Sequence, residues 1–566
     1  MKKIYVQSLV IAICCSLFVI TSCQDMLTVD SGRYATVDKN GLSSANDSVN
    51  SIFGLLHGMQ KVGERYILLG EMRGDLLDVT SYTPADIRQL SDFKVDSTNA
   101  YANPRDYYAI INNCNYFISR TGASGSALKT ENAVAHAIRT WTYMQIATNW
   151  GKVYYFTKPL LTVNDTKESY PVLDINQLTD SLITDLEPFA DAIYPNYGTI
   201  NSFKSSDLLI PVNVLLGDLY LWHGRSISDY EKAAMYYAEF IDSKIPPADP
   251  ANPTSNLTYS PTMEWNIDNF TKKNFETAYP NYGKGWRPYI GTSNSSNSQI
   301  IEFVSAIQMA TTISDGIVCN IPHRIQYFGA SSVVNKLWSV QNYTLHYIPD
   351  ATKPDFTNYT NIGDARAKGN SIVYSLTTTA TGTTNISKVI DFPALYKLLE
   401  ADHILLYRMG LIYLRYAEAV NRAGHPNTAF AVLKYGLNPK SFKDSTIIPI
   451  ADCNIPYISI FNNVRYTNIK GIHARGCGDA QYDGAYKPDV TVDPTNAVED
   501  LICDELALET SFEGNRFGDL FRMALRRNDN DFLAKRIASK YEGSEYSRIY
   551  GILSSDKKNW FLPEPK

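Results

Sequence analysis

The sequence predicts a mostly α protein, a scaffold of helical hairpins carrying an irregular, loop-rich and aromatic-rich face with short strands. Three observations lead there: clean helical periodicity in several segments, a block near the middle that lacks it, and an excess of tyrosine. The apolar residues Leu208, Val212, Leu215, Leu219 and Trp222 recur at alternating steps of four and three, one face of a helix. After a polar break at 224–228, Tyr230, Ala234, Tyr237 and Ile241 do the same. Two amphipathic helices joined by a short polar loop make an antiparallel hairpin.

That hairpin resembles a degenerate tetratricopeptide repeat, with Leu216, Gly217 and Tyr220 on its first helix and Ala233 and Ala234 where the second crosses closely. A second candidate begins in "HILLYRMGLIYLRYAEAVNRAG", where Leu405, Met409, Ile412, Tyr416, Ala419 and Ala423 form one stripe. Gly424 and Pro426 stop it, as a glycine cap followed by proline does, and "PNTAFAVLKYGL" is its partner helix. Further helices are expected over 131–150 and 497–513. The block 246–391 is rich in Asn, Thr, Ser, Gly, Pro and aromatics, so it reads as long loops with short strands, and loops of that length in a compact protein tend to be functional. The organisation is then a leader over 1–22 and one domain over 23–566, with scaffold at about 50–245 and 395–530 and the ligand-facing insert at about 246–391.

The leader rests on Lys2 and Lys3 followed by a nearly uninterrupted apolar run that ends in small residues, the layout of a secretory signal. The run is too short for a transmembrane span, which needs ~20 apolar residues. Ile20, Thr21, Ser22 and Cys23 resemble a bacterial lipobox, in which the cysteine becomes the lipidated first residue of the mature chain. Acyl chains contribute ~0.8 kcal/mol per buried methylene, so they hold a domain on a membrane without spanning it.

Composition narrows the class. Hydrophobic residues are 44% and charged residues 19%, ordinary globular material, and a net charge of −6 with no basic stripe argues against a nucleic-acid partner. Beyond the leader the cysteines Cys114, Cys319, Cys453, Cys477 and Cys503 are scattered, form no CxxC pair and read as small buried hydrophobes. Cys453 and Cys477 are the nearest pair for a disulfide. No GxSxG, phosphate-cradling loop or HExxH occurs, His473 with Cys477 is a weak metal pair, and neither a cofactor nor a metal is expected. The 39 tyrosines among 566 residues supply flat apolar faces with polar rims, suited to sugar rings and protein interfaces.

Four stretches together resemble the SusD/RagB family. "YANPRDYYAIINNCNYFI" places Tyr108, Ile111 and Asn115 on the family pattern; "AHAIRTWTYMQIATNWGKVYYFTKPL" places Arg139, Trp141, Tyr143, Trp150, Gly151, Pro159 and Leu160. "LYRMGLIYLRYAEAVNRAG" supplies Arg408, Tyr413, Ala417, Glu418 and Ala419. The most specific is "ICDELALETSFEGNRFGDLFR", with Glu505, Leu506, Glu513, Gly514, Arg516, Asp519 and Leu520. "WFLPEPK" closes the chain, with Glu564 where the family has an apolar residue.

The resemblance implies a SusD-like fold and an outer-membrane, surface-facing nutrient-uptake lipoprotein. Such a protein captures a glycan and delivers it to a SusC-like TonB-dependent transporter, by stacking and hydrogen bonding without catalysis. Alternatives are a surface polysaccharide hydrolase with an unmarked carboxylate pair, a peptide-binding uptake component of the same family, and a helical scaffold that only docks a protein partner. For the ligand contacts the candidates are Asp75, Tyr82, Arg88, Trp265, Trp286 and Tyr289, in two polar, aromatic loops. Glu505, Glu513, Gly514, Arg516 and Asp519 are expected to be structural. Spacing by three would let Glu513, Arg516 and Asp519 pair on one face of a continuing helix, with Gly514 allowing a bend.

Overall fold

The computed structural model describes residues 45–121, 128–200, 203–245, 302–347, 352, 356–379, 387–467, 469–489 and 491–564, with backbone alone at 45–48, 368–379 and 387–392. Cys23, Trp265, Trp286 and Tyr289 lie outside the described residues. The helices before residue 246 are α1 (Ala45–Glu71), α2 (Ala85–Ser91), α3 (Arg105–Thr121), α4 (Lys129–Trp150), α5 (Ile175–Leu186), α6 (Val212–His223) and α7 (Ile227–Lys244). Short strand β1 (Leu77–Val79) lies between α1 and α2.

After residue 302 come β2 (Phe303–Gln308), β3 (Phe328–Ala330), α8 (Ser332–Ser339), β4 (Asn342–Tyr347), β5 (Thr357–Ile362), α9 (Ala365–Asn370), β6 (Ser371–Thr379), β7 (Ser387–Leu395) and β8 (His403–Arg408). The chain then returns to helix in α10 (Met409–Arg422), α11 (Pro426–Lys434), α12 (Pro494–Thr510), α13 (Arg516–Arg527), α14 (Asn530–Ala538) and α15 (Gly543–Ser555). Among the described residues the result is mostly α, with the strands paired two by two, as the periodicity predicts.

Both predicted hairpins form. α6 stops at Gly224 in the left-handed region, and Ser226 opens α7 with a capping box to Asp229. Gly217 permits the close crossing: a Cβ there would meet the Tyr237 ring at 2.6 Å. The second hairpin begins later than its stripe suggests. His403 to Arg408 is strand, pairing antiparallel with β2 through His403↔Gln308, Ile404↔Ile307 and Leu405↔Ala306, so Leu405 is not on the helix. The partner strand lies about a hundred residues earlier in sequence, and local periodicity carries no trace of it. α10 then ends before Gly424 at φ +99°, and Pro426 opens α11.

One contiguous apolar core runs from Ile52 on α1 to Leu562 near the end of the described chain. Long-range strand pairing fastens the middle of the chain onto it: β1 pairs antiparallel with β3 (Leu77↔Ala330, Val79↔Phe328). The five cysteines after the leader are free thiols, so the Cys453 and Cys477 pairing is not formed. Among the described residues no helix is long and apolar enough to cross a membrane.

Candidate functional site

The loop after β1 carries two of the expected ligand residues, and its shape follows from a few short polar side chains. The Thr80 hydroxyl donates to the Gln326 carbonyl at 2.6 Å, and Thr83 donates to the Tyr327 carbonyl at 2.6 Å. The Thr80 amide in turn donates to Thr83 Oγ1 at 2.7 Å. Arg88 reaches back from α2 to donate to the Thr80 carbonyl at 2.7 Å, while Ile87 and Leu90 bury the inner face of that helix. The loop is thereby stitched to the segment around β3. Tyr82 stands at its tip, 61% exposed.

Around it the same two segments bring further rings and polar groups. Tyr327 is half-buried and meets the Phe328 ring edge-on at 6.3 Å. Glu64 on α1 accepts from the Asn320 amide and side chain, each at 3.1 Å, with Arg324 3.8 Å away. The Asn99 amide donates to Asp86 O and Gln89 Oε1, and its carbonyl caps the turn holding Tyr101. Burial, reinforced by Glu64 and Asp86, pushes the Tyr101 hydroxyl up to about 12, so it stays a neutral donor. Flat rings beside a carboxylate, a guanidinium and amides can stack on a sugar ring and hydrogen-bond its hydroxyls. Tyr101, Arg324, Tyr327, Glu64 and Asn320 went unmarked because their neighbours lie up to 256 residues away in sequence; the aromatic run at 322–328 was the available signal.

Asp75 is corrected. It lies only a few residues ahead of Tyr82, but it is 1% exposed and bidentate with Arg516, at 2.5 and 2.8 Å. Burial alone would raise its carboxyl, yet the Arg516 guanidinium holds it below the usual range. A carboxylate so engaged in the interior faces no ligand.

Glu505, Glu513, Gly514, Arg516 and Asp519 are buried, with a different pairing from the one expected. α12 stops at Thr510, and the turn that follows passes through left-handed backbone at Phe512 (φ +68°) and Gly514 (φ +90°), so Glu513, Arg516 and Asp519 do not share one helix face. Glu513 pairs instead with Lys397 and with Arg408 at 2.8 Å; Arg516 pairs with Asp75, and Asp519 with Arg522 at 2.9 Å. Glu71 closes the turn onto α1 by accepting backbone N–H groups of Phe512 at 3.1 Å and Gly514 at 2.8 Å.

Behind this turn lies a continuous charge network. Glu509 accepts from Arg408 and Arg475 at 2.6 Å each and from Arg366 at 2.8 Å. Arg408 and Arg475 also reach Glu302, at 2.7 Å each, while Arg366 reaches Glu505 at 2.7 Å and Asp364 at 2.8 Å. His473 meets Glu505 at 2.6 Å through Nδ1 and stacks on Tyr486. Burial raises the Glu509 carboxyl, but Arg475, Arg408 and Arg366 together hold it well below the usual range.

A family model described as the SusD family matches residues 398–566, the part that holds α10 to α15 and most of this network. The family match is confined to this carboxy-terminal part of the chain. Solved structures extend the likeness of fold over nearly the whole chain. A SusD homolog from Bacteroides thetaiotaomicron superposes with a TM-score of 0.55, 15% identical over 94% of this chain and 96% of that one. A SusD superfamily protein from Bacteroides vulgatus gives 0.54, at 13% identity over 93% and 96%. B. fragilis NanU gives 0.52, at 16% identity over 89% and 93%. No curated protein matches the chain.

Proposed function

We propose that the chain is a surface-exposed, lipid-anchored glycan-binding protein that captures an oligosaccharide or polysaccharide and passes it to a SusC-like TonB-dependent transporter, without cleaving it. The observation that carries the reading is Tyr82, a large aromatic ring 61% exposed at the tip of a loop pinned by Thr80, Thr83 and Arg88. A preformed aromatic platform costs little ordering entropy on binding, which suits weak, reversible capture of sugars. The SusD-family match over residues 398–566 supports a sugar as ligand and the outer membrane as location, with Cys23 as the lipidated residue. Arg88 acts in this reading by holding the loop. Trp265, Trp286 and Tyr289 remain candidates for additional stacking.

Affinity electrophoresis of the purified protein through gels containing a panel of polysaccharides tests the reading. Retardation by at least one glycan, lost in Tyr82→Ala while the melting temperature holds, is the expected result. No retardation by any glycan overturns the carbohydrate assignment; retention on peptides instead would point to a peptide-uptake component. Release of reducing ends from the panel would point to a hydrolase.

A further inference from the structure

Among the described residues one group of three metal-ligating side chains comes together, Glu400, Asp402 and His403, with donor atoms all within 4.8 Å of one another. They fall within four consecutive positions at the entrance to β8, outside the loop face of the proposed glycan site. Their backbone is fixed: the Asp402 carbonyl accepts from Met309 N at 2.7 Å, and His403 pairs with Gln308 across the sheet. The imidazole is buried between the rings of Phe203 and Phe303, each 5.6 Å away, with Nδ1 2.6 Å from Asp402 Oδ1. Phenylalanine walls hold the ring's orientation.

Glu400 and Asp402 are both half-buried; Asp402 pairs with the His403 imidazole, Glu400 is hydrogen-bonded with Tyr396, and among the described residues neither carboxylate forms an ion pair with a lysine or arginine. Two carboxylates beside an imidazole offer a divalent cation both donors and compensating charge. The arrangement is also open: Asp402 borders a cavity of about 710 Å³, and Glu400 and His403 line a smaller one of about 40 Å³ together with the buried thiol of Cys319. Waters can therefore complete a coordination shell.

We infer that Glu400, Asp402 and His403 form a divalent transition-metal site, with Zn²⁺ as the ion that best fits one imidazole and two carboxylates. An imidazole donor favours zinc over the harder Ca²⁺ and Mg²⁺, which take all-oxygen shells. Zinc sits about 2.0–2.2 Å from nitrogen and carboxylate oxygen, so small rotations of the two acidic side chains bring the three donors to bonding distance. Bound metal would tie the β8 entrance to the β2–β8 sheet and stiffen the border of the larger cavity.

Isothermal titration of the purified, chelator-treated protein with Zn²⁺ tests this, read together with the thermal midpoint. One zinc per chain is expected, with a raised midpoint, and affinity weakened at least about tenfold in both Glu400→Gln and Asp402→Asn. Glu400→Gln replaces a partly exposed group that, among the described residues, holds no arginine or lysine, so its metal-free midpoint should match the parent's, while Asp402→Asn keeps an acceptor oxygen for the His403 imidazole. Absence of zinc uptake by the parent protein overturns the site. So does uptake of unchanged affinity in both variants, which would place the metal elsewhere, and so does binding of Ca²⁺ as tightly as Zn²⁺.

Discussion

Glu509→Gln is the sharpest test of the buried charge network. The carboxylate is 0% exposed and accepts from three guanidinium groups at 2.6 to 2.8 Å. Glutamine keeps the volume and one acceptor oxygen but removes the charge and turns an NH2 toward arginine donors. The native network sets Glu302, Asp364, Glu505, Glu509 and Glu513 against Arg366, Arg408, Arg475 and Lys397, with His473 on Glu505. After the substitution Arg475 and Arg408 keep Glu302, and Arg408 keeps Glu513, so the loss is large without stripping any arginine bare. Breaking one partner out of a buried pair costs about 3–5 kcal/mol, a sizeable share of the about 5–15 kcal/mol that holds a domain folded. Urea midpoints for the parent, Glu509→Gln and the control Asp531→Asn measure it; the control removes a surface pair whose side chains are 44% and 61% exposed, worth at most ~0.5 kcal/mol. If Glu509→Gln unfolds at the parent's midpoint, the network is not what secures the carboxy-terminal helices. If it keeps the midpoint but loses glycan retention, the residue belongs to a binding site and the structural assignment fails.

Gly514→Ala should cost at least about 2 kcal/mol and lower the thermal midpoint, because φ is +90° there and a Cβ would meet the Tyr66 ring at 2.7 Å; an unchanged midpoint would show that the turn can reshape. Glu71 gives a pH signature: burial raises its carboxyl from 4.5 to about 7 despite the backbone donors of Gly514 and Phe512. Its folded value exceeds its unfolded one, so its contribution is fully present below the unfolded value and is lost as pH rises through about 7. The loss amounts to about 3 kcal/mol, and Glu71→Gln should flatten that slope; equal slopes in the two proteins would refute it. Cys23→Ala should leave the fold intact and remove the protein from the surface of intact cells, read by antibody labelling; undiminished labelling would refute the lipid anchor.

Local patterns were legible in the chain and long-range ones were not. The α6–α7 and α10–α11 hairpins could be read because their stripes, capping glycines and prolines lie within a few turns of each other. β8 was misread as helix because its apolar residues also fit a helical stripe, and only pairing with β2 decides between the two. The same limit governs the site. Tyr82 stood out as an aromatic in a polar loop, but Asp75, a short way ahead of it, looked just as suitable until Arg516, 441 residues later, claimed it. Charge and loop context select polar residues near a surface; they do not reveal which of them turn inward.

The distribution of buried charge explains how the fold can leave an aromatic side chain such as Tyr82 to solvent. Arg408 sits at the β8–α10 junction, Glu302 at the start of β2, Arg366 on α9 and Glu509 near the end of α12, so a single network ties strands and helices that are distant in sequence. Arginine suits this work because its planar fork serves two or three carboxylates at once, as Arg366 does with Asp364, Glu505 and Glu509. Such a network rewards correct geometry and penalises every alternative that leaves a charge unpaired, so it specifies the framework more than it adds net stability. With the framework specified from within, the outer loops need supply little folding energy. The Tyr82 loop shows the economy: four hydrogen bonds from Thr80, Thr83 and Arg88 hold it, and its largest side chain is left to solvent. Exchanging that ring for another residue should therefore alter what is bound without altering whether the chain folds.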